Sequence, residues 1–210
     1  MSSISIIGLG NMASTLAGRA LASGNAVEMI GRDPAKTSEL AAKVGGATVG
    51  ATGAAPVGDI VVVAVPYASA ATVIGDYGDA LNGKVIVDIT NPITSDSKGF
   101  VTPDGSSGAQ EIAKAAPAGA HVVKAFNTLF SGVLAAGSAE GRPLDVFIAG
   151  DDAQAKASVS TFIESLGLRA LDAGELSMAR AIENVALLQL GLVAHSLKHI
   201  DFVLGVNVVR

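Results

Sequence analysis

Ile4-Ser5-Ile6-Ile7-Gly8-Leu9-Gly10-Asn11-Met12-Ala13 is the stretch that decides the fold. An apolar run enters a glycine loop, and Asn11–Ser23 then carries small residues on one helical face, which reads as strand, tight turn and helix. Gly8, Gly10 and Ala13 fit the pattern G-x-G-x-x-A. The first glycine permits the turn, the second lets a pyrophosphate approach the backbone, and Ala13 lets the helix pack closely on a sheet. Phosphate would then meet the free N–H groups and positive dipole end of the helix, around Leu9, Gly10, Asn11 and Met12.

Strand and helix signals alternate outward from this loop to about Asp172. Strands are expected at Ala26–Ile30, Ala47–Val49, Ile60–Val65, Lys84–Ile89, His121–Ala125, Leu144–Ala149 and Leu168–Leu171. Asp33-Pro34 reads as an N-cap followed by proline at the first helical position, and Asp151 and Asp152 open a helix reaching Leu166. Strands such as Ile60–Val65 are apolar throughout instead of alternating, which suits a parallel sheet covered on both faces. The expected fold is therefore α/β, a Rossmann-type doubly wound, mostly parallel sheet. Residues 1–174 form this domain, and residues 175–210 form a C-terminal helical appendage extending to about Leu204. Pro92–Ser107, rich in Ser, Thr, Gly, Asp and Pro, reads as a long loop.

Composition narrows the function. Half of the 210 residues are hydrophobic and only 16% are charged, which excludes intrinsic disorder. A net charge of −5, scattered Lys and Arg, and 4% aromatic residues give no footprint for nucleic acid. There is no cysteine, hence no disulfide, thiolate metal site or cysteine nucleophile. The longest apolar helix candidate, Val185–Ala194, is interrupted by Gln189 and Gly191 and falls short of the roughly 20 residues that span a bilayer. No leader pattern precedes Gly8, so a cytoplasmic location is expected.

The end of the second strand selects the cofactor. An NAD site carries Asp or Glu about 20 residues after the fingerprint, but here the strand ends Met29-Ile30-Gly31-Arg32-Asp33. Arg32 can hold a 2′-phosphate through two charge-assisted hydrogen bonds, and Lys36 adds a second positive charge. Asp33 reads as a helix cap, though its carboxylate could also accept from a ribose hydroxyl. NADP(H) is thus expected over NAD(H).

With these residues placed, the chain resembles the NADPH-dependent reductases of the deazaflavin coenzyme F420, and the related cytosolic domain of six-transmembrane ferric reductases. The resemblance rests on the Gly8 fingerprint, Gly31-Arg32, Ala64-Val65-Pro66 and Asp88-Ile89-Thr90-Asn91-Pro92. It continues in His121-Val122-Val123-Lys124-Ala125-Phe126-Asn127-Thr128, Ile148-Ala149-Gly150-Asp151-Asp152 and Leu171-Asp172-Ala173-Gly174-Glu175-Leu176. Family members often carry a threonine where this chain has Leu9, which removes one phosphate contact. The resemblance implies hydride exchange between NADP(H) and coenzyme F420 or a flavin.

The residues themselves agree with a site at the C-terminal edge of the sheet. Val65-Pro66, Asn91-Pro92 and Asn127-Thr128 each follow a strand. Polar groups there can meet the nicotinamide carboxamide, and Val65, Pro66 and Phe126 are expected as apolar walls for flat rings. Asn91, Phe126, Asn127 and Thr128 are expected to act by placement, Tyr67 and Asn91 are expected to contact the cofactor, and Tyr67 is the one titratable group at these strand ends. Direct hydride transfer without an obligatory side-chain acid or base follows from that inventory.

Two other functions stay open: reduction of a small C=N or C=O substrate, as in pyrroline-carboxylate reductases, and a non-catalytic NADPH-sensing module. Pyrroline-carboxylate reductases carry a large helical C-terminal domain, whereas only about 35 residues follow the sheet here. His195 and His199, four apart, are expected on a solvated or subunit-facing surface, with no metal site. His121 is expected to cap a strand entry. Ser106 and Ser107 lack an adjoining His or Asp for acyl transfer. The apolar last helix, with Leu187, Leu188, Leu190, Leu192 and Val193, is expected to form a homodimer interface.

Overall fold

The computed structural model describes residues 1–209. In chain order the elements are β1 (Ser3–Ile7), α1 (Asn11–Ala22), β2 (Ala26–Ile30), α2 (Pro34–Lys43), β3 (Thr48–Gly50), β4 (Ile60–Val63), α3 (Tyr67–Tyr77) and β5 (Val85–Asp88). There follow α4 (Gly108–Ala115), β6 (His121–Lys124), α5 (Ser131–Ala136), a small hairpin of β7 (Ser138–Ala139) and β8 (Arg142–Pro143), then β9 (Asp145–Gly150), α6 (Ala153–Ser165), β10 (Arg169–Asp172) and α7 (Ala179–Leu192).

Eight strands form one sheet in the order β10-β9-β6-β5-β4-β1-β2-β3. The six strands from β6 to β3 are parallel to one another. β9 runs antiparallel to β6, and β10 runs parallel to β9. This is a Rossmann-type sheet, mostly parallel, with two strands reversed at one edge.

The strand sequences explain its two cores. Side chains on a strand point alternately to opposite faces. In β4, Ile60 and Val62 enter one apolar cluster while Val61 and Val63 enter the other. α1 presents Ala13, Leu16, Ala17 and Ala20 to the first cluster, the spacing of one helical face. α3 and α4 fill the second with Ala70, Ile74, Ala109 and Ile112. At the start of α2, the Asp33 carboxylate accepts from the Ala35 and Lys36 amides at 3.0 and 3.2 Å, with Pro34 at the first helical position.

Two expectations change. The last helix stops far short of Leu204. It runs from a 3₁₀ turn at Leu176 through α7 and a π-type turn (Val193–Leu197), and Lys198, in the left-handed region at φ 64°, ends it. His199 therefore lies outside the helix and shares no helical face with His195. Gln189 and Gly191 also fail to interrupt it. Leu176–Leu197, 22 residues with mean hydropathy 1.3, is long and apolar enough to cross a membrane by length and composition. In this fold its Glu183 and Gln189 are buried against the sheet.

Along the sheet, the chain turns one way from β1 to β2 and β3, and the other way through β4, β5 and β6. Ligands of open α/β sheets bind at such a reversal, outside the strands' C-terminal ends. Gly8 leaves β1 there with φ 130°, and its amide donates to the Ile30 carbonyl at 2.9 Å. A Cβ on Gly8 would overlap the Ala64 carbonyl at the end of β4. Gly8→Ala should thus lower stability by roughly 2–5 kcal/mol, combining left-handed strain with overpacking. Urea unfolding checks this; an unchanged midpoint would show that the crevice yields easily.

Candidate active site

The crevice opens into a cavity of about 620 Å³. Gly8, Leu9 and Gly10 form one side, Gly31, Arg32, Asp33 and Lys36 the far end, and Val65 and Pro66 the near end. Gly10 caps α1 with no side-chain hydrogen bond, and the first turn holds no acidic residue. The N–H groups of this turn are thus free for an anion. A Cβ on Gly10 would meet nothing within 4 Å, so the space beside this glycine is open, whereas beside Gly8 it is filled.

At the far end Arg32 is exposed, with no ion-pair partner among the described residues. Lys36 stands 3.7 Å from Asp33, a surface pair that contributes little to stability. Gly31 is more than a missing acid. A Cβ there would come within 2.6 Å of both Leu9 Cδ1 and Thr37 Oγ1, so an Asp or Glu could not be accommodated without rearrangement. Leu9 fills that space, which gives the residue without a hydroxyl a packing role. A free helix N-terminus, an unpaired guanidinium and the absence of an acid at Gly31 together suit a dinucleotide bearing a 2′-phosphate. Asn11 and Met12 are not in the cavity wall. Asn11 is exposed, and Met12 packs half-buried against the core.

Four wall residues had not been singled out in the sequence: Thr52, Ser69, Val73 and Tyr77. The last three are spaced four apart, one face of α3, so helical periodicity after Pro66 could have found them. Thr52 reaches the cavity from the loop after β3 and donates to the Gly31 carbonyl at 2.8 Å. It had no local signal.

Asn91 and Asn127 meet past the ends of β5 and β6. Asn91 Nδ2 donates to the Asn127 carbonyl at 2.9 Å, and Asn127 Nδ2 donates to Asn91 Oδ1 at 3.0 Å. With Thr128, Ile93, Leu129, Phe130 and α7 they line a smaller cavity of about 210 Å³ that bears no charged side chain. Thr128 offers its carbonyl to Gln189 Nε2 at 2.9 Å, tying α7 to this edge. Phe126 departs from expectation. Its ring is fully buried against Phe162 in the core, with centroids 6.1 Å apart, and forms no wall for a ligand. Its contribution is its backbone, held at φ 60°.

Beneath these strand ends lies a cluster that the sequence reading assigned no role. Lys124, Asp88 and Glu183 have no exposed surface. Lys124 Nζ donates to Asp88 Oδ2 at 2.8 Å, to Glu183 Oε1 at 3.0 Å and to the Thr90 carbonyl at 2.5 Å. Asp88 Oδ1 accepts from the Thr90 amide at 2.8 Å. Glu183 accepts from the Gly108 amide at the start of α4. Charged residues inside otherwise apolar runs (Val122-Val123-Lys124-Ala125, Ile182-Glu183) were the available signal.

Tyr67, at the start of α3, is half-buried beside Gly108 and Pro92. Burial raises its pKa, and the negative charges of Glu111, Glu183 and Asp88 raise it further. Its hydroxyl therefore remains a donor at neutral pH.

The comparisons agree with this geometry. Residues 3–92 match the family model described as NADP oxidoreductase, coenzyme F420-dependent. Metalloreductase STEAP3 of Rattus norvegicus is 32% identical over 184 residues, 88% of this chain and 36% of the relative. The F420-dependent NADP reductase of Methanocaldococcus jannaschii is 30% identical over 147 residues, 66% of this chain and 64% of the relative. Over residues 3–92 the chain matches the coenzyme F420-dependent NADP oxidoreductase family model, and it is similar to that family's reductases. A solved protein of Arthrobacter sp. FB24, described as a candidate F420-dependent NADP reductase, superposes with a TM-score of 0.85 at 28% identity, over 99% of this chain and 100% of its own. The chain thus spans about a third and just under two thirds of those two curated relatives.

Other motifs of the resemblance are structural in this chain. The Asp172 carboxylate accepts from Lys156 Nζ at 3.1 Å and from the Gly174 amide at 2.8 Å, and Asp152 caps α6. Asp151 accepts from the Leu176 amide, which starts the turn into α7. His121 is exposed at the entry to β6, 4.0 Å from Asp152. Among the described residues, no three His, Asp or Glu side chains gather into a metal-binding group.

Glu183 supplies a pH test. Burial and the neighbouring Asp88 raise its pKa, against the opposing effects of Lys124 and the Gly108 amide. The folded state therefore binds this proton more tightly than the unfolded chain does. Stability falls as pH climbs from the unfolded carboxyl value, near 4.3, toward the raised folded value. Glu183→Gln removes this dependence. Its melting temperature relative to wild type should rise in the variant's favour between pH 4 and pH 8, and a constant difference would contradict the shift.

Proposed function

We propose that the chain is an NADP(H)-dependent oxidoreductase that passes hydride between the nicotinamide and a deazaflavin, coenzyme F420, or a flavin. The observation that carries this reading is the cavity past β1, β2 and β4, where a free helix N-terminus and the unpaired Arg32 suit a 2′-phosphorylated dinucleotide, with a second, uncharged cavity past the ends of β5 and β6. The nicotinamide group supplies the hydride chemistry when bound. The chain's own residues bind and orient. Arg32 and Lys36 hold the 2′-phosphate, the Gly8–Gly10 loop and the first turn of α1 hold the pyrophosphate, and Val65 and Pro66 bound the flat ring. The locked Asn91–Asn127 pair and Thr128 present fixed polar edges, which is what exchange between two oriented rings requires. α7 completes the second cavity with Ala186, Gln189 and Leu190.

A second reading, reduction of a small C=N or C=O substrate, is favoured by one feature: Tyr67 is a hydroxyl that stays protonated and could deliver the proton such a product needs. Mixing the protein with NADPH and, in turn, coenzyme F420, FMN, FAD or a cyclic imine separates the two readings. Bleaching of the deazaflavin or flavin absorbance supports the first. Turnover of the imine alone, abolished in Tyr67→Phe, supports the second. NADPH binding with no turnover in any arm leaves a sensing module.

Two quantitative outcomes accompany this proposal. A hydrogen bond to a charged group is worth roughly 1.5–3 kcal/mol, so Arg32→Ala should weaken NADPH binding about ten- to a hundredfold and leave NADH nearly unchanged. Equal losses for both cofactors would make Arg32 structural. The second concerns assembly. Leu188 is 55% exposed on the last helix. A homodimer burying the helix surface around it is proposed, and light scattering that finds a monomer at micromolar concentration would refute it.

A further inference from the structure

The Lys124–Asp88–Glu183 cluster holds two carboxylates against one ammonium, all without exposed surface. Lys124 balances one of the acids. Ionised Glu183 leaves a formal charge of −1 in the layer directly under the strand ends. Every element around it contributes: Asp88 ends β5, Lys124 ends β6, the Gly108 amide opens α4, and Tyr67 lies across Gly108 from α3. Glu111 of α4 is engaged by Lys114 and Ser106, and Arg180, one turn before Glu183 on α7, is engaged by Thr102 and the Ser106 carbonyl. Both backbone groups of Thr90 are bound to this cluster, and the next residue is Asn91.

We propose that the charge on Glu183 sets how strongly this chain prefers the oxidised nicotinamide cofactor over the reduced one. The inference rests on the NADP(H) reading above. The oxidised ring carries a positive charge and the reduced ring none, while the two forms share every phosphate. A buried negative charge beneath the ring therefore favours the oxidised form selectively, and makes the reduced form, when bound, the better hydride donor. The cluster is shielded from salt, so this preference persists at ionic strengths that screen surface charges. One unit charge at ~10 Å through an effective dielectric of ~20 changes a binding ratio by about tenfold.

The test measures binding without turnover. Wild type and Glu183→Gln are titrated separately with NADP+ and with NADPH by calorimetry between pH 5.5 and pH 9, at low and high salt. The quantity read is Kd(NADPH)/Kd(NADP+). The 2′-phosphate titrates near pH 6 in both forms, so its effect cancels in the ratio. The ratio should rise with pH in wild type as Glu183 ionises. In Glu183→Gln it should be flat, and about tenfold below wild type at the alkaline end. Identical ratios in the two proteins at every pH would overturn the proposal. If Glu183→Gln does not fold, Asp88→Asn, which removes the other carboxylate charge of the cluster, is titrated in its place, and a ratio equal to wild type at pH 9 overturns the proposal. Binding of neither form overturns the NADP(H) reading itself, and this inference with it.

Discussion

A lysine ammonium with no exposed surface constrains this molecule more than any other single group. Removing a charge from water is costly, and the interior repays it only if every donor finds an acceptor in good geometry. Lys124 meets that demand with one carboxylate from β5, one from α7 and a backbone carbonyl from the turn after β5. The consequence is geometric. Two neighbouring strands, the final helix and, through Glu183, the start of α4 must all converge on one nitrogen. Loss of one partner from such a group typically costs about 3–5 kcal/mol, a large share of a domain's net stability. The turn carrying Asn91 is thereby fixed from below, independently of any ligand.

The other half of the crevice is organised by the opposite device, the absence of side chains. Gly8 is forced by the Ala64 carbonyl and by its positive φ, Gly31 leaves room that the Leu9 and Thr37 side chains fill, and Gly10 is unconstrained by protein. The first two glycines serve packing, and the third leaves space that nothing in the chain fills. A dinucleotide pyrophosphate needs that approach to the backbone. The site therefore combines a loop made permissive by glycine with a platform made rigid by buried charge.

How much of this was legible in the sequence follows from the range of each interaction. The fingerprint, the Asp33-Pro34 cap, the unbroken apolar strand Ile60–Val63 and Gly31-Arg32 depend on neighbours within a few residues, and they predicted the sheet and the cavity's position. The end of the last helix was misplaced because a left-handed Lys198 has no composition signal, unlike the glycine that usually stops a helix. Phe126 was read as a wall because an aromatic residue after a strand fits either a ligand or the core, and only packing against Phe162 decides between them. The inventory of titratable groups at the strand ends left out Asp88 and Lys124, the last residues of β5 and β6, and Glu183, which are 36 and 59 residues apart and meet only in the fold.

Phe126 joins these two themes. A bulky residue at φ 60° is strained and persists only where its surroundings over-determine it. Here the surroundings are identifiable. Lys124, two residues before, is fixed by its ion pairs, and the Ala125 amide continues the ladder by donating to the Asp88 carbonyl at 3.1 Å. The Phe126 ring is trapped against Phe162, and Asn127 and Thr128, immediately after, are held by Asn91 and Gln189. Anchors on both sides and a side chain in the core hold the backbone in this conformation. Strain at this one residue therefore redirects β6 from the buried cluster to the polar edge facing the second cavity.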